Sequence, residues 1–539
     1  MKTPVFTSLT FTAVLLTSLQ LPGASLAQNS YSFTDAAQSQ VDYTRTRSRA
    51  AADCGTFRHR TTSDYTIISA ELIPASAEAP EHCRLHGVIE PEVQFWVTLP
   101  TEWNRRFYMH GNGGYAGRPF DHPYRYAWAS APALRHGFAT AYTNTGHDHR
   151  YEPQGSFAHD EIQKTLDYSY RAVHLTANTA KELTDIYYDR APDFSYFDGC
   201  STGGRQGLME AQRFPDDFDG IAAGAPVNDQ TNLHIWMAWI YQMLDKTPIT
   251  PEKVETVLAP RVLEACDGLD GAEDGLIQNP EQCSFTPSKD LPVCEKGGED
   301  CFSPAEIATL ERIYSPVMSK GKEYFPGLQL GVEPAGTLNV KQGGPEATGW
   351  QVYIIDKEGG LGRMEVFADT FFKYFAFVED DPDYDWRNLD FDEDVDKMGL
   401  VRSMLDAVKT DMSAFKARGG KLLSYHGWAD GGPPASFTVK YYNDVIADMG
   451  EAETREFYRL FMVPGMFHCL NGFGTDDFDP MTALINWVER GIVPETIHAE
   501  QVRDGRVVRS RPLCPYPQIS RYNGTGDMND AENFTCTAP

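Results

Sequence analysis

The chain has 539 residues, 41% of them hydrophobic and 12% aromatic, which is ample for a packed core and too much for one small domain. Its 47 basic and 76 acidic side chains leave a formal charge of −29, which argues against nucleic acid or an anionic membrane as partner. Beyond the N-terminus no apolar run approaches the roughly 20 residues that a bilayer span needs.

Residues 1–27 read as a secretory signal: Lys2, then the apolar "VFTSLTFTAVLLTSLQL", then the small-residue cleavage site "ASLA" ending at Ala27. The expectation is a secreted protein, extracellular or periplasmic, with no membrane anchor. Ten cysteines then face an oxidising compartment. Sequence neighbours pair economically as 54 with 83, 266 with 283, 294 with 301 and 514 with 536. Cys200 and Cys469 are left without a local partner, and spacing alone does not fix the connectivity.

Residues 28 to about 95 read as a lead-in, and "VQFWVTLP" then alternates like a strand. "RRFYMHGNGG" and "HGFATAYTNTGHD" each read as a strand running into a glycine-containing turn. "YSYRAVHLTANTAKELTDIYY" carries apolar residues at helical spacing, "DFSYFDG" is a strand ending at Gly199, "GRQGLMEAQRFP" a helix, and "FDGIAAGAP" the next strand. Such alternation predicts a mostly parallel α/β sheet. From about Val227 the rhythm breaks into a stretch rich in glycine, proline and acidic residues. It resumes with "MSAFKARGGKLLSYHGWAD" and "YRLFMVPGMFHC". The expected organisation is a core at 28–226 and 406–539, interrupted by an inserted lid at 227–405.

Gly199-Cys200-Ser201-Thr202-Gly203 fits G-x-S-x-G between a strand and a helix, the nucleophile elbow of the α/β-hydrolase fold. A serine needs a base and an acid to orient it, and in this fold they follow in the order Ser, acid, His. Asp430 and His468 each lie just past a strand. The competitors are Asp444, on a predicted helix, and His426, inside a strand-to-turn segment; both read better as structural. If Ser201 and His468 are in hydrogen-bonding reach, their neighbours Cys200 and Cys469 approach the separation that a disulfide needs.

Cys-Ser, Asp and His-Cys in this order resemble the tannase and feruloyl esterase family. The likeness extends through "GCSTGGRQGLMEAQRFPDDFDGIAAGAP", "LFMVPGMFHC" and "RSRPLCPYPQISRYNGTGD". It implies five bridges, Cys54–Cys83, Cys200–Cys469, Cys266–Cys283, Cys294–Cys301 and Cys514–Cys536. It also implies a Ser201-His468-Asp430 triad, with oxyanion amides at Gly111 and Thr202, acting on esters of aromatic acids.

"CDGLDGAEDGLIQNPEQC" crowds Asp267, Asp270 and Asp274 into a glycine-rich loop suited to calcium, though it is not an EF-hand. The resemblance implies a structural calcium ion held by those side chains and by the carbonyls of Ala272 and Leu276. The aromatic-rich lid segments "GWQVY" and "GRMEVFADTFFKYFAF" suit a planar acyl group, with Trp350 among the expected contacts; the resemblance further implies Arg363, just before the pocket residue Phe367, as a residue that binds a substrate carboxylate. Feruloyl- or galloyl-type esters are the expected substrates, and a terephthalate half-ester is the alternative. A non-catalytic calcium-dependent binding protein is the rival of another class; a serine peptidase is disfavoured because no propeller-like repeat is present.

Overall fold

The computed structural model describes residues 32–43, 47–77, 79–119, 130–338 and 344–539; the signal sequence expected at 1–27 lies outside them. Nine strands form the main sheet: β1 (Thr66–Ile73), β2 (His82–Ile89), β3 (Val93–Pro100), β4 (Arg106–His110), β5 (Ala139–Thr143), β6 (Phe194–Cys200), β7 (Gly220–Gly224), β8 (Lys421–Gly427) and β9 (Tyr458–Val463). Their spatial order is β9-β8-β7-β6-β4-β5-β3-β2-β1. From β9 across to β5 every pairing is parallel, and β5, β3, β2 and β1 pair antiparallel. The parallel strands are covered on both faces, which is why β5 and β7 are buried along their whole length.

The segment expected as a lead-in is where β1 and β2 form. In β2 the side chains alternate, with Cys83, Leu85, Gly87 and Ile89 buried, a period-two pattern that makes a half-buried strand.

Helix α1 (Ala172–Tyr188) connects β5 to β6, and α2 (Thr202–Arg213) connects β6 to β7. The chain between β7 and β8 adds no strand to the main sheet. It forms α3 (Gln230–Lys246), α4 (Pro304–Tyr314) and α5 (Glu365–Tyr374). Asp229 caps α3 by accepting the Asn232 amide, and Ser303 with Glu306 closes a capping box on α4. These elements share a core containing Trp236, Phe325, Trp350 and Trp386, which continues into Tyr115, Phe157 and Tyr168 beyond the ends of β4 and β5. The inserted segment is thereby packed onto the loops that follow those strands. After β8 come α6 (Ala435–Met449), α7 (Pro480–Arg490) and a hairpin of β10 (Ile497–Arg503) and β11 (Arg506–Leu513).

All ten cysteines are bridged in the five expected pairs. Among the described residues no helix is long and apolar enough to cross a membrane.

Candidate active site

Ser201 follows β6 at φ 67° and ψ −125°, a left-handed conformation that a non-glycine residue holds only under constraint. The constraint is local packing. The Ser201 amide donates to the Gly224 carbonyl at 3.0 Å. A Cβ on Gly199 would lie 2.7 Å from the Gly203 carbonyl carbon, and one on Gly203 would lie 2.9 Å from the Asn112 oxygen. The two glycines thus permit strand, helix and the loop after β4 to meet closely, which lifts Ser201 to the N-terminus of α2.

Asp430 and His468 follow β8 and β9, neighbouring parallel strands in which Gly427 pairs with Val463. The His468 Nδ1 atom lies 2.6 Å from Asp430 Oδ2. An Nδ1–H donated to a carboxylate leaves Nε2 as the basic nitrogen. Asp430 is fully buried, and its Oδ1 accepts the Gly432 amide at 2.8 Å. Burial opposes ionisation of this carboxyl, but the charge of His468 and hydrogen bonds from His426 and His468 outweigh it and hold it below its ordinary value.

His426 is also fully buried, with Nε2 3.0 Å from Asp430 Oδ2 and Nδ1 2.7 Å from Thr438 Oγ1. It braces the acid and does not line the cavity. Asp444 is exposed on α6 and paired with Lys440 at 2.6 Å. Ser201 and His468 line one cavity of about 540 Å³, within the range of small-molecule sites. The Cys200–Cys469 bridge ties their neighbours together with Cα atoms 6.0 Å apart.

The expected oxyanion donor Gly111 requires correction. Its amide donates to the Asp198 carbonyl at 2.8 Å, continuing the β4–β6 ladder, and the Asn112 amide is taken by Gln206 Oε1 at 2.9 Å. Gly113 supplies the next amide, which has no partner among the described residues, and Gly113 lines the cavity with Thr202. Thr202 is held in place by its hydroxyl, which donates to the Gly114 carbonyl at 2.5 Å. Its amide, at the first position of α2, is free of an intrahelical partner.

Of the expected lid contacts, Arg363 and Phe367 line the cavity, joined by Tyr353, whose ring stands 5.8 Å from that of His468. Arg363 is exposed and makes no ion pair among the described residues. Trp350 does not reach the cavity: it is fully buried in the core of the inserted segment, beside Tyr314. Aromatic composition marked the segment but not the face on which this ring packs.

In the 266–283 loop, Asp267 accepts the amides of Asp274 and Gly275, and Asp270 Oδ1 accepts that of Ala272 at 3.0 Å. Asp274 accepts the Leu276 amide and pairs with the buried Arg511 of β11. The three carboxylates do not close into a tight cluster; among the described residues such groupings lie at His174, Glu210 and Asp217 and at His159, Asp160 and Asp380. Yet Asp270 Oδ2 is buried and unpartnered. Burial, reinforced by Asp274 and Asp267, pushes its carboxyl up to about 7. A donor set of oxygens only, with a buried orphan among like charges, fits a hard cation.

Sequence reasoning missed Asp198, Ser32 and Tyr108. Asp198 lies on β6 and is buried; its Oδ2 accepts the Ser32 hydroxyl at 2.5 Å and the Tyr108 hydroxyl at 3.0 Å. Burial raises its carboxyl to about 6. No local pattern reveals a convergence of three such distant positions.

Residues 78–537 match the family model described as tannase and feruloyl esterase. The chain is 33% identical over 528 residues to a mono(2-hydroxyethyl) terephthalate hydrolase of Piscinibacter sakaiensis, covering 87% of each chain. It is 28% identical to feruloyl esterase B of Aspergillus niger, over 97% of this chain and 99% of that one. The crystal structure of feruloyl esterase B from Aspergillus oryzae superposes with a TM-score of 0.77 at 27% identity, covering 90% of this chain and 99% of that one.

Proposed function

The chain belongs to the tannase and feruloyl esterase family, and from that membership we propose that it is a secreted serine hydrolase cleaving carboxylic esters of aromatic acids. The observation that carries the reading is the meeting of Ser201 and His468 on one cavity, with Asp430 bonded behind the histidine. The Ser201 hydroxyl attacks the acyl carbon while His468 Nε2 takes its proton and returns it to the departing alcohol. The Asp430 carboxylate stabilises the imidazolium between those two transfers. The amides of Gly113 and Thr202 hold the oxyanion, and water then releases the acid from the acyl-enzyme.

Residues 227–405 act as the lid, supplying Phe367 and Tyr353 as walls for a planar acid. Calcium suits the 266–283 loop. Asp267, Asp270 and Asp274, with the Ala272 and Leu276 carbonyls, would hold it, and it would neutralise their charge without entering the reaction. Secretion rests on the N-terminal signal and is supported by five bridges.

Within the class, Arg363 favours a second reading. An exposed guanidinium without an ion pair at an aromatic-lined cavity suits an acid with a second carboxylate, as in a terephthalate half-ester. Methyl ferulate, methyl gallate, methyl protocatechuate and mono(2-hydroxyethyl) terephthalate, assayed with wild type and Ser201→Ala, test both readings. Turnover of at least one ester, abolished in the variant, is the expected result. Wild-type activity in Ser201→Ala would sink the assignment.

A further inference from the structure

The cavity is lined by both apolar and hydrogen-bonding side chains. Toward the inserted segment it is walled by Leu233, Met237, Tyr353 and Phe367. It is also lined by Ser32, His110, Asp198, Tyr425 and Asn471, which carry hydrogen-bonding groups. Alternation along β6 places Asp198 on the same face as Cys200 and opposite Phe197. On that face the bridge from Cys200 reaches the loop after His468, which itself contributes Leu470, Asn471 and Phe478 to the lining. Asp198 is therefore on the side of β6 that is bridged to the loop of the histidine, which in the esterase reading hands a proton to the departing alcohol.

Asp198 is 4% exposed, and Ser32 and Tyr108 both donate to Oδ2. Its Oδ1 has no hydrogen-bond partner among the described residues. An unpaired carboxylate oxygen on a residue this little exposed that lines the cavity calls for a donor from whatever fills it. An alkyl group supplies none, whereas a hydroxyl does.

We propose that Asp198, positioned by Ser32 and Tyr108, accepts a hydrogen bond from a free hydroxyl on the alcohol half of the ester, and so selects hydroxylated alcohols over simple alkanols. The inference rests on the esterase reading and adds a specificity determinant to it. A site built to bond a hydroxyl discriminates strongly against the analogue that lacks it, because its own polar group is then left unpaired.

The test takes one aromatic acid esterified to methanol, to glycerol and to a pentose. The wild-type enzyme is expected to favour the two hydroxylated esters in kcat/KM by about tenfold or more. Asp198→Ala is expected to remove most of that preference through KM, with the methyl ester falling by less than about threefold, and Asp198→Asn to recover part of it. Free glycerol or pentose should inhibit methyl-ester hydrolysis competitively in wild type and more weakly in the variant. If Asp198→Ala does not fold, Ser32→Ala and the inhibition of wild type decide the matter. Equal losses on all three esters would overturn the proposal, as would a wild type with neither preference nor inhibition. In those cases hydrolysis of the methyl ester leaves the esterase reading standing. A wild type inactive on all three esters would overturn both.

Discussion

Replacing Cys200 and Cys469 together by alanine removes the one bridge that joins the serine's strand to the histidine's loop. The two cysteines are 269 residues apart in sequence, so the chain-entropy estimate of their cross-link is about 5.5 kcal/mol at 25 °C. Unfolding a chain of this size carries an entropy of about 1 kcal/mol per kelvin, which converts that loss into a fall in Tm of about 5 °C. The native state changes as well. Cys469, one end of the bridge, holds a φ of 65°, and Ser201, next to the other end, one of 67°, so the backbone at or beside each end has little conformational latitude. Slack between nucleophile and base harms the transition state more than the bound ester. A displacement near 1 Å reduces kcat by about 100-fold, while KM stays within about threefold. Calorimetry and steady-state kinetics on a p-nitrophenyl ester measure both effects, and peptide mapping of the unreduced wild type tests for the Cys200–Cys469 linkage. A double variant that melts with wild type and keeps its kcat would rule out this role for the bridge, as would free alkylation of both thiols in the folded enzyme.

Chelation is expected to lower Tm by about 2–3 °C relative to protein with calcium at 100 times its Kd. Restored calcium should reverse the shift in wild type but not in Asp270→Ala, and a Tm indifferent to chelator would remove the calcium assignment. Arg363→Ala should raise KM for mono(2-hydroxyethyl) terephthalate about tenfold or more and leave methyl ferulate within about threefold, since only the first carries a carboxylate to pair; equal effects would show that Arg363 does not read a carboxylate. The depressed Asp430 carboxyl contributes stability that is complete above its ordinary value of 3.8 and is lost as pH falls through its lower folded value. Asp430→Asn should therefore be less stable than wild type at neutral pH, with the difference closing in acid below 3.8. Denaturant titrations across that window would contradict this if the difference held constant.

The elbow was legible because its glycines answer to a local demand, the close approach of β6, α2 and the loop after β4, and such demands leave residue-type signatures. The placement of Asp430 beside His468 was legible for a related reason: in a parallel sheet, side chains meet where neighbouring strands end, and "LLSYHGWAD" and "FMVPGMFHC" show where those ends fall. The Gly111 assignment failed because an amide's availability depends on strand pairing, and the β4–β6 ladder extends to that residue. Trp350 failed because composition does not say which face of an irregular segment turns inward. Strands β1 and β2 were passed over although the alternation of "HCRLHGVI" was visible and its partner "VQFWVTLP" was read as a strand just after it. Asp198 was out of reach, as its meaning comes from Ser32 and Tyr108, brought to it from distant parts of the chain.

Trapping the acyl-enzyme tests whether Ser201 is the nucleophile of an aromatic-acid esterase. Wild-type protein is mixed with p-nitrophenyl ferulate, quenched in acid within the first turnovers, and digested for mass mapping. A feruloyl adduct is expected on the peptide containing Ser201, absent from Ser201→Ala and accumulating in His468→Ala no faster than its residual turnover. An adduct on another residue, or ester hydrolysis that persists in Ser201→Ala with no adduct at any position, would contradict this assignment.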